Sequence, residues 1–97
     1  MRRVYGVEIT VNHRVFTKVV IDSHYEEKHG EFIDDQTILA LVRMLDGEVH
    51  LPKATDENGF DYFVREDLLY KDKSYRLIWL THENEIYIGV VNAYRRN

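Results

Sequence analysis

The sequence predicts a small α+β domain of order ββααβββ: a β-hairpin, two helices, then an antiparallel three-stranded meander, in two layers. Three observations carry that reading. Polar and apolar residues alternate from Val4 to Ile21 with one break, an apolar stripe of helical spacing follows, and three strand-like segments close the chain. Short connections between consecutive strands require antiparallel neighbours, and helices segregated from strands give a two-layer α+β arrangement.

Val7, Ile9 and Val11 alternate with Glu8 and Thr10, and Val15, Thr17, Val19 and Ile21 resume the pattern after Asn12-His13-Arg14. Period-two alternation is that of a half-buried strand. Asparagine tolerates the left-handed backbone of a tight hairpin turn. At Asp22-Ser23 the period changes. Ser23 and Glu26 form a capping box, which predicts a short helix from Ser23 to His29, ended at Gly30.

A second helix is expected from Asp34 to Leu45. Ile33 and Ile38 occupy the positions of a hydrophobic staple. Ile38, Leu41, Val42 and Leu45 fall at i, i+3, i+4 and i+7, and Gly47 stops the helix. Glu48 to Gly59 is polar and holds the single proline, Pro52, so it reads as an irregular connection.

Phe60 to Tyr70, Ser74 to Thr81 and Glu85 to Arg95 read as strands, separated by turns at Lys71-Asp72-Lys73 and His82-Glu83-Asn84. The charged interruption Arg65-Glu66-Asp67 marks a bulge or a bend. Strict alternation puts Arg76, Ile78 and Leu80 on one face of the second of these strands. In the last strand it puts Ile86, Ile88, Val90, Asn92 and Tyr94 on one face, and Tyr87, Gly89, Val91, Ala93 and Arg95 on the other. Both faces are apolar in mid-strand, so these two strands are expected at the centre of the sheet.

At 97 residues, 44% apolar and 12% aromatic, the chain supports one core and reads as a single domain, 1–97. It has no cysteine, hence no disulfide, thiolate metal site or cysteine nucleophile. Met1-Arg2-Arg3 is not followed by an apolar signal core, and no apolar run approaches membrane-spanning length, so a cytoplasmic protein is expected. Thirteen cations against seventeen carboxylates give a formal charge of −4, which argues against a protein that coats nucleic acid without specificity. Arg2, Arg3, Arg95 and Arg96 lie at the two ends of the chain. If those ends meet, one basic corner sits on an acidic body.

Phosphate-binding glycine loops, zinc-protease histidine spacing and nucleophile-elbow serines are all missing, which excludes the common hydrolases. His24 and His29 project about 140° apart on an ideal helix and cannot readily share a metal. His24 and Lys28 do share a face, and a neighbouring cation disfavours the protonated imidazole, tuning it toward a general base. Asn92, Tyr94, Arg95 and Arg96 concentrate polar groups at the end of the last strand. Metal-free RNA cleavage needs that inventory: a base for the 2′-hydroxyl, cations for the phosphate and a ring on which a base stacks. Asp22, Glu26, Glu27, Glu31, Asp34 and Asp35 form an acidic segment suited to helix N-termini or to a basic partner.

The polar segment beginning Ser23-His24 with Lys28-His29, the helix from Asp34 to Leu45, and a meander closing on Ile86-Tyr87-Ile88-Gly89-Val90-Val91 and Tyr94-Arg95-Arg96 together resemble the RelE/BrnT-like ribonuclease toxins. These belong to a wider group that unites barnase, colicin and RelE-type nucleases. The resemblance covers about Ile21 to Arg96 and rests on loose motifs. It implies a small cytoplasmic toxin of a toxin–antitoxin system that cleaves RNA without metal or cofactor. The implied catalytic set is His24, Lys28, Arg76, Tyr94 and Arg95, with His24 as base or acid, Arg76 and Arg95 on phosphate, and Tyr94 stacking or donating a proton. Such toxins are usually basic, whereas this chain has a pI near 5.7. The hairpin from Val4 to Ile21 is also an addition to the minimal pattern.

A different function class remains open from the same residues. A non-catalytic immunity- or antitoxin-like module would use the acidic segment to cover a basic protein, and a third reading is a homodimer formed through a strand edge. The partners expected are therefore RNA, or a cognate antitoxin or basic toxin, with no membrane.

Overall fold

The structure, a computed structural model, describes residues 2–22 and 33–96. Among these residues the chain is mostly β, with six strands in one mixed sheet and one helix. This corrects the two-helix, two-layer ββααβββ expectation. The expected helix from Ser23 to His29 lies outside the described residues.

β1 (Arg2–Val11) and β2 (Arg14–Asp22) form the hairpin. Asn12 and His13 sit at φ of 54° and 64°, and positive φ at both central residues is the turn whose twist matches two paired strands. The register shifts between Gly6 and Ile9, opposite the interval from Phe16 to Lys18. Across this irregularity the core side of β2 changes parity, from Phe16 to Val19 and Ile21, which corrects the unbroken alternation expected for Val15, Thr17, Val19 and Ile21: Val15 and Thr17 are exposed.

α1 (Asp35–Arg43) is shorter than the sequence pattern promised. Asp34 caps it, its Oδ1 accepting the Thr37 N–H at 2.9 Å. Thr37 holds the Asp34 carboxyl below its ordinary range, through its side chain first and then through this N–H. After Arg43 the chain leaves the helix in tight turns and reaches Gly47 at φ +84°. The Gly47 N–H donates to Thr10 O at 2.7 Å, and Asp46 Oδ1 accepts the Thr10 N–H at 2.8 Å. The end of β1 therefore competes for the backbone that would have extended the helix.

β3 (Ala54–Thr55), β4 (Phe60–Tyr70), β5 (Lys73–His82) and β6 (Tyr87–Arg95) complete the sheet in the order β1-β2-β6-β5-β4-β3. Two-residue β3 falls inside the segment expected to be irregular. The pairing of β2 with β6 is parallel and all others are antiparallel. The central place of β6 accords with its mid-strand residues, which are apolar on both faces. β6 sits between two neighbours, β5 and β2. The hairpin is thus part of the one sheet, and the two central strands are β6 and β5.

α1 packs across β4 and β5. Ile38, Leu41, Val42 and Leu45 are fully buried there with Leu77 and Trp79, each burial contributing about 1.5–3 kcal/mol. Phe63 stacks on Trp79 with ring centroids 5.3 Å apart and an interplanar angle of 14°. The opposite face of β4, β5 and β6 carries no described helix.

Candidate functional site

The face opposite α1 is built by three adjacent strands. β5 presents Arg76, Ile78, Leu80 and His82 there. β4 presents Phe60, Tyr62 and Val64, their partners across the ladder being His82, Leu80 and Ile78. In β6 the register shifts between Val90 and Asn92, opposite Trp79 and Ile78. This bulge at Val91 corrects the strict alternation expected for that strand. Ile88, Val90 and Ala93 point into the core, whereas Tyr87, Gly89, Asn92 and Tyr94 share the face opposite α1.

At one end of this face Arg76 Nη1 donates to the Tyr94 phenol oxygen at 2.6 Å, the two residues being cross-strand partners. The guanidinium lies 5.6 Å from the Tyr94 ring centre, within cation–π range. Glu66 is the third member, its Oε2 lying 3.1 Å from Arg76 Nε. That approach is electrostatic, since Nε makes no directed hydrogen bond among the described residues. Glu66 reaches Arg76 because β4 bulges between Arg65 and Leu68, with Asp67 at φ 55°. Bulges re-aim side chains in this way.

At the other end lies a cleft of about 380 Å³, with Gly89 and Leu80 among its lining and Phe60, Tyr62 and Tyr87 beside them. Asp56 holds one wall. Its Oδ1 accepts the N–H groups of Asn58 at 2.9 Å and Phe60 at 3.0 Å, and its Oδ2 accepts the Tyr62 hydroxyl at 3.1 Å. The Phe60 N–H is the first cause keeping the Asp56 carboxyl low. Burial, then Asp56, pushes the Tyr62 phenol up. Phe60 meets His82 edge-on, with centroids 4.9 Å apart. Arg2 and Asp22, a cross-strand pair, reach the cleft from the hairpin.

Of the five residues read from the sequence as catalytic, the structure brings two together, Arg76 and Tyr94. Arg95 pairs with Tyr75, which is buried on the helix side, and so lies in register with the other face. His24 and Lys28 lie outside the described residues. Arg2 and Arg95 do lie at the same end of the sheet, because β1 starts where β2 ends and β6 runs parallel to β2. Arg3, however, is committed to Asp35. Two carboxylates of the acidic segment likewise have internal partners: Asp34 caps α1, and Asp35 binds Arg3 and Tyr5.

Sequence reasoning missed Glu66 and the aromatic cleft. The charged interruption at Arg65-Glu66-Asp67 held the signal for Glu66. A glycine inside an otherwise apolar strand, Gly89, held the signal for the cleft.

A further polar cluster lies elsewhere. His50 Nε2 is 2.7 Å from Glu48 Oε1, Arg65 Nε is 3.2 Å from the same oxygen, and the His50 ring meets Trp79 edge-on at 5.2 Å. Burial works to raise the Glu48 carboxyl, but Arg65 and His50 outweigh it and hold it low. This cluster fastens the connection after α1 to β4. Among the described residues no group of three or more histidines and carboxylates is placed to hold a metal ion, and no helix is long and apolar enough to cross a membrane.

Comparison of the chain with protein-family models, with curated proteins and with solved structures finds no match.

Proposed function

We propose that the sheet face opposite α1 binds single-stranded RNA and cleaves it without metal, as a small toxin-type endoribonuclease. The observation that carries this reading is the meeting of Arg76 and Tyr94 at 2.6 Å on the sheet face whose other end carries Phe60, Tyr62 and Tyr87. A guanidinium is permanently charged and its fork fits two phosphate oxygens at once. Oriented by Glu66 and Tyr94, Arg76 neutralises the charge that builds on the phosphorus oxygens during attack.

In the reaction the 2′-oxygen bonds to the adjacent phosphorus as its proton passes to a base. The bond from phosphorus to the 5′-oxygen breaks as that oxygen takes up a proton, leaving a 2′,3′-cyclic phosphate. Tyr94 gives or holds a proton at the same phosphate. His24, the base or acid expected from the sequence, lies outside the described residues and is the proton-transfer group put to the test.

The test is cleavage of a labelled single-stranded RNA by the purified chain, alone and with ribosomes, beside Arg76→Ala, Tyr94→Phe and His24→Ala variants. A cyclic-phosphate product that falls about a hundredfold in Arg76→Ala is expected. Full activity in both Arg76→Ala and Tyr94→Phe, or no cleavage under any condition, would overturn the reading.

A further inference from the structure

The geometry points to the cleft over Gly89 as the seat of one unpaired nucleobase of single-stranded RNA, a subsite separate from the Arg76–Tyr94 end. It rests on the reading of this face as an RNA surface, and it names what the face recognises beyond the phosphate.

Gly89 is the first ground. It stands in a central strand, where glycine weakens the ladder and often marks the close approach of a ligand. A Cβ at this position would stand 2.7 Å from Leu80 Cδ1. Leu80 therefore lies flat across its cross-strand partner, and the two form a smooth apolar floor. A planar ring can lie against such a floor over its whole face.

The walls are the second ground. Tyr87 stands two residues from Gly89 on the same strand face, its Cε1 3.6 Å from where that Cβ would be. Tyr62 pairs with Leu80 across the ladder and is held by Asp56; Phe60 is held against His82. Tyr62 and Phe60 are held before any ligand arrives, so little of their rotamer freedom is lost on stacking. Aromatic rings on an open sheet face are how proteins commonly hold splayed single-stranded bases. The volume of about 380 Å³ falls in the usual range of small-molecule clefts, about 300–1,000 Å³.

The mouth is the third ground. Arg2 is exposed at the rim and supplies a cation for the backbone of the seated nucleotide, and the exposed Asn58 side chain offers both a donor and an acceptor to a base edge. Along β5 the floor at Leu80 is four residues from Arg76, about 13 Å at the strand rise. One extended RNA strand can thus engage both ends of the face.

The test uses the full chain and a fluorescein-labelled 2′-O-methyl RNA octamer of mixed sequence, which binds but cannot be cleaved. Tyr87→Ala is expected to weaken its binding about tenfold and Tyr87→Phe by less than twofold. Adenosine, guanosine, cytidine and uridine 5′-monophosphates, added singly to the unsubstituted protein, are expected to shift the Gly89 and Leu80 amide resonances with at least one base. Ribose 5-phosphate is expected to leave them in place. Unchanged octamer binding in Tyr87→Ala, or no nucleotide shift at Gly89, would overturn the subsite. If unmethylated RNA is cut while those results are null, the nuclease reading stands and the subsite falls. If nothing is cut but Tyr87→Ala loses binding and the nucleotide shifts appear, the subsite stands and the nuclease reading falls.

Discussion

Arg3 grips Asp35 through Nε at 2.5 Å and a second guanidinium nitrogen at 2.8 Å, fastening the start of the first strand to the first turn of the helix. The Tyr5 hydroxyl donates to the same carboxylate, which in turn raises the phenol's pKa. The Arg3 hydrogen bond is the largest cause holding the Asp35 carboxyl below its ordinary range, against the opposing effect of burial.

A lowered folded-state value means that Asp35 stabilises the protein fully above its unfolded value, near pH 4, and progressively less as pH falls through the folded value. Asp35→Asn is expected to cost about 0.5–1 kcal/mol at pH 7, a figure already discounted for solvent screening of a partly exposed pair. The difference from the parent should vanish toward pH 2. Urea denaturation at pH 7, 4 and 2 measures it.

Phe63→Ala should be severe. It removes the ring stacked on the fully buried Trp79 and leaves a cavity in the core, for which about 3–5 kcal/mol is typical. The chain contains a single tryptophan, so the unfolding midpoint is read directly from its fluorescence.

Two glycines should respond in opposite directions to alanine. Gly59 has φ +87°, and its added Cβ would lie 3.1 Å from His82 Nε2, so Gly59→Ala should cost about 1–2 kcal/mol. Gly6 would meet nothing within 4 Å, and Gly6→Ala should be neutral or stabilise by up to about 1 kcal/mol. Thermal melts of the two variants beside the parent check the contrast.

The two arginines of the last strands should also separate. Arg76→Ala should lower RNA cleavage about a hundredfold, whereas Arg95→Ala, in register with the helix-side face, should lower it no more than about threefold at physiological salt. Initial rates on one labelled RNA decide this, and equal losses would show that the faces had been assigned wrongly.

Much of the local structure was legible because single residues carry it. Asn12-His13 and Lys71-Asp72 mark hairpin turns, and all four have positive φ. Asp34 and the stripe from Ile38 to Leu45 mark the helix. The parallel pairing of β2 with β6 was not legible, because period-two alternation fixes which face a residue takes and leaves its neighbour strand unspecified. The Val91 bulge escaped for a related reason. A single inserted residue leaves no compositional trace in Ile88-Gly89-Val90-Val91-Asn92, yet it carries Tyr94 onto the face of Tyr87. Of the site, Arg76 and Tyr94 were readable as chemistry-bearing residues at strand ends. Glu66 was hidden, since its reach depends on a bulge whose direction the sequence does not state.

The lone parallel pairing also orders events in time. Every antiparallel neighbour in the sheet is joined by a short segment, so the hairpin of β1 and β2 and the meander from β3 to β6 can each zip locally. Ile21 meets Val90 only after the long intervening stretch has been drawn together, and closing a long loop is the slow, entropically opposed step. Refolding should therefore run as two quickly formed halves joined by one late seam. Substitutions along Val19 and Ile88 would chiefly speed unfolding, and those inside the meander would slow folding.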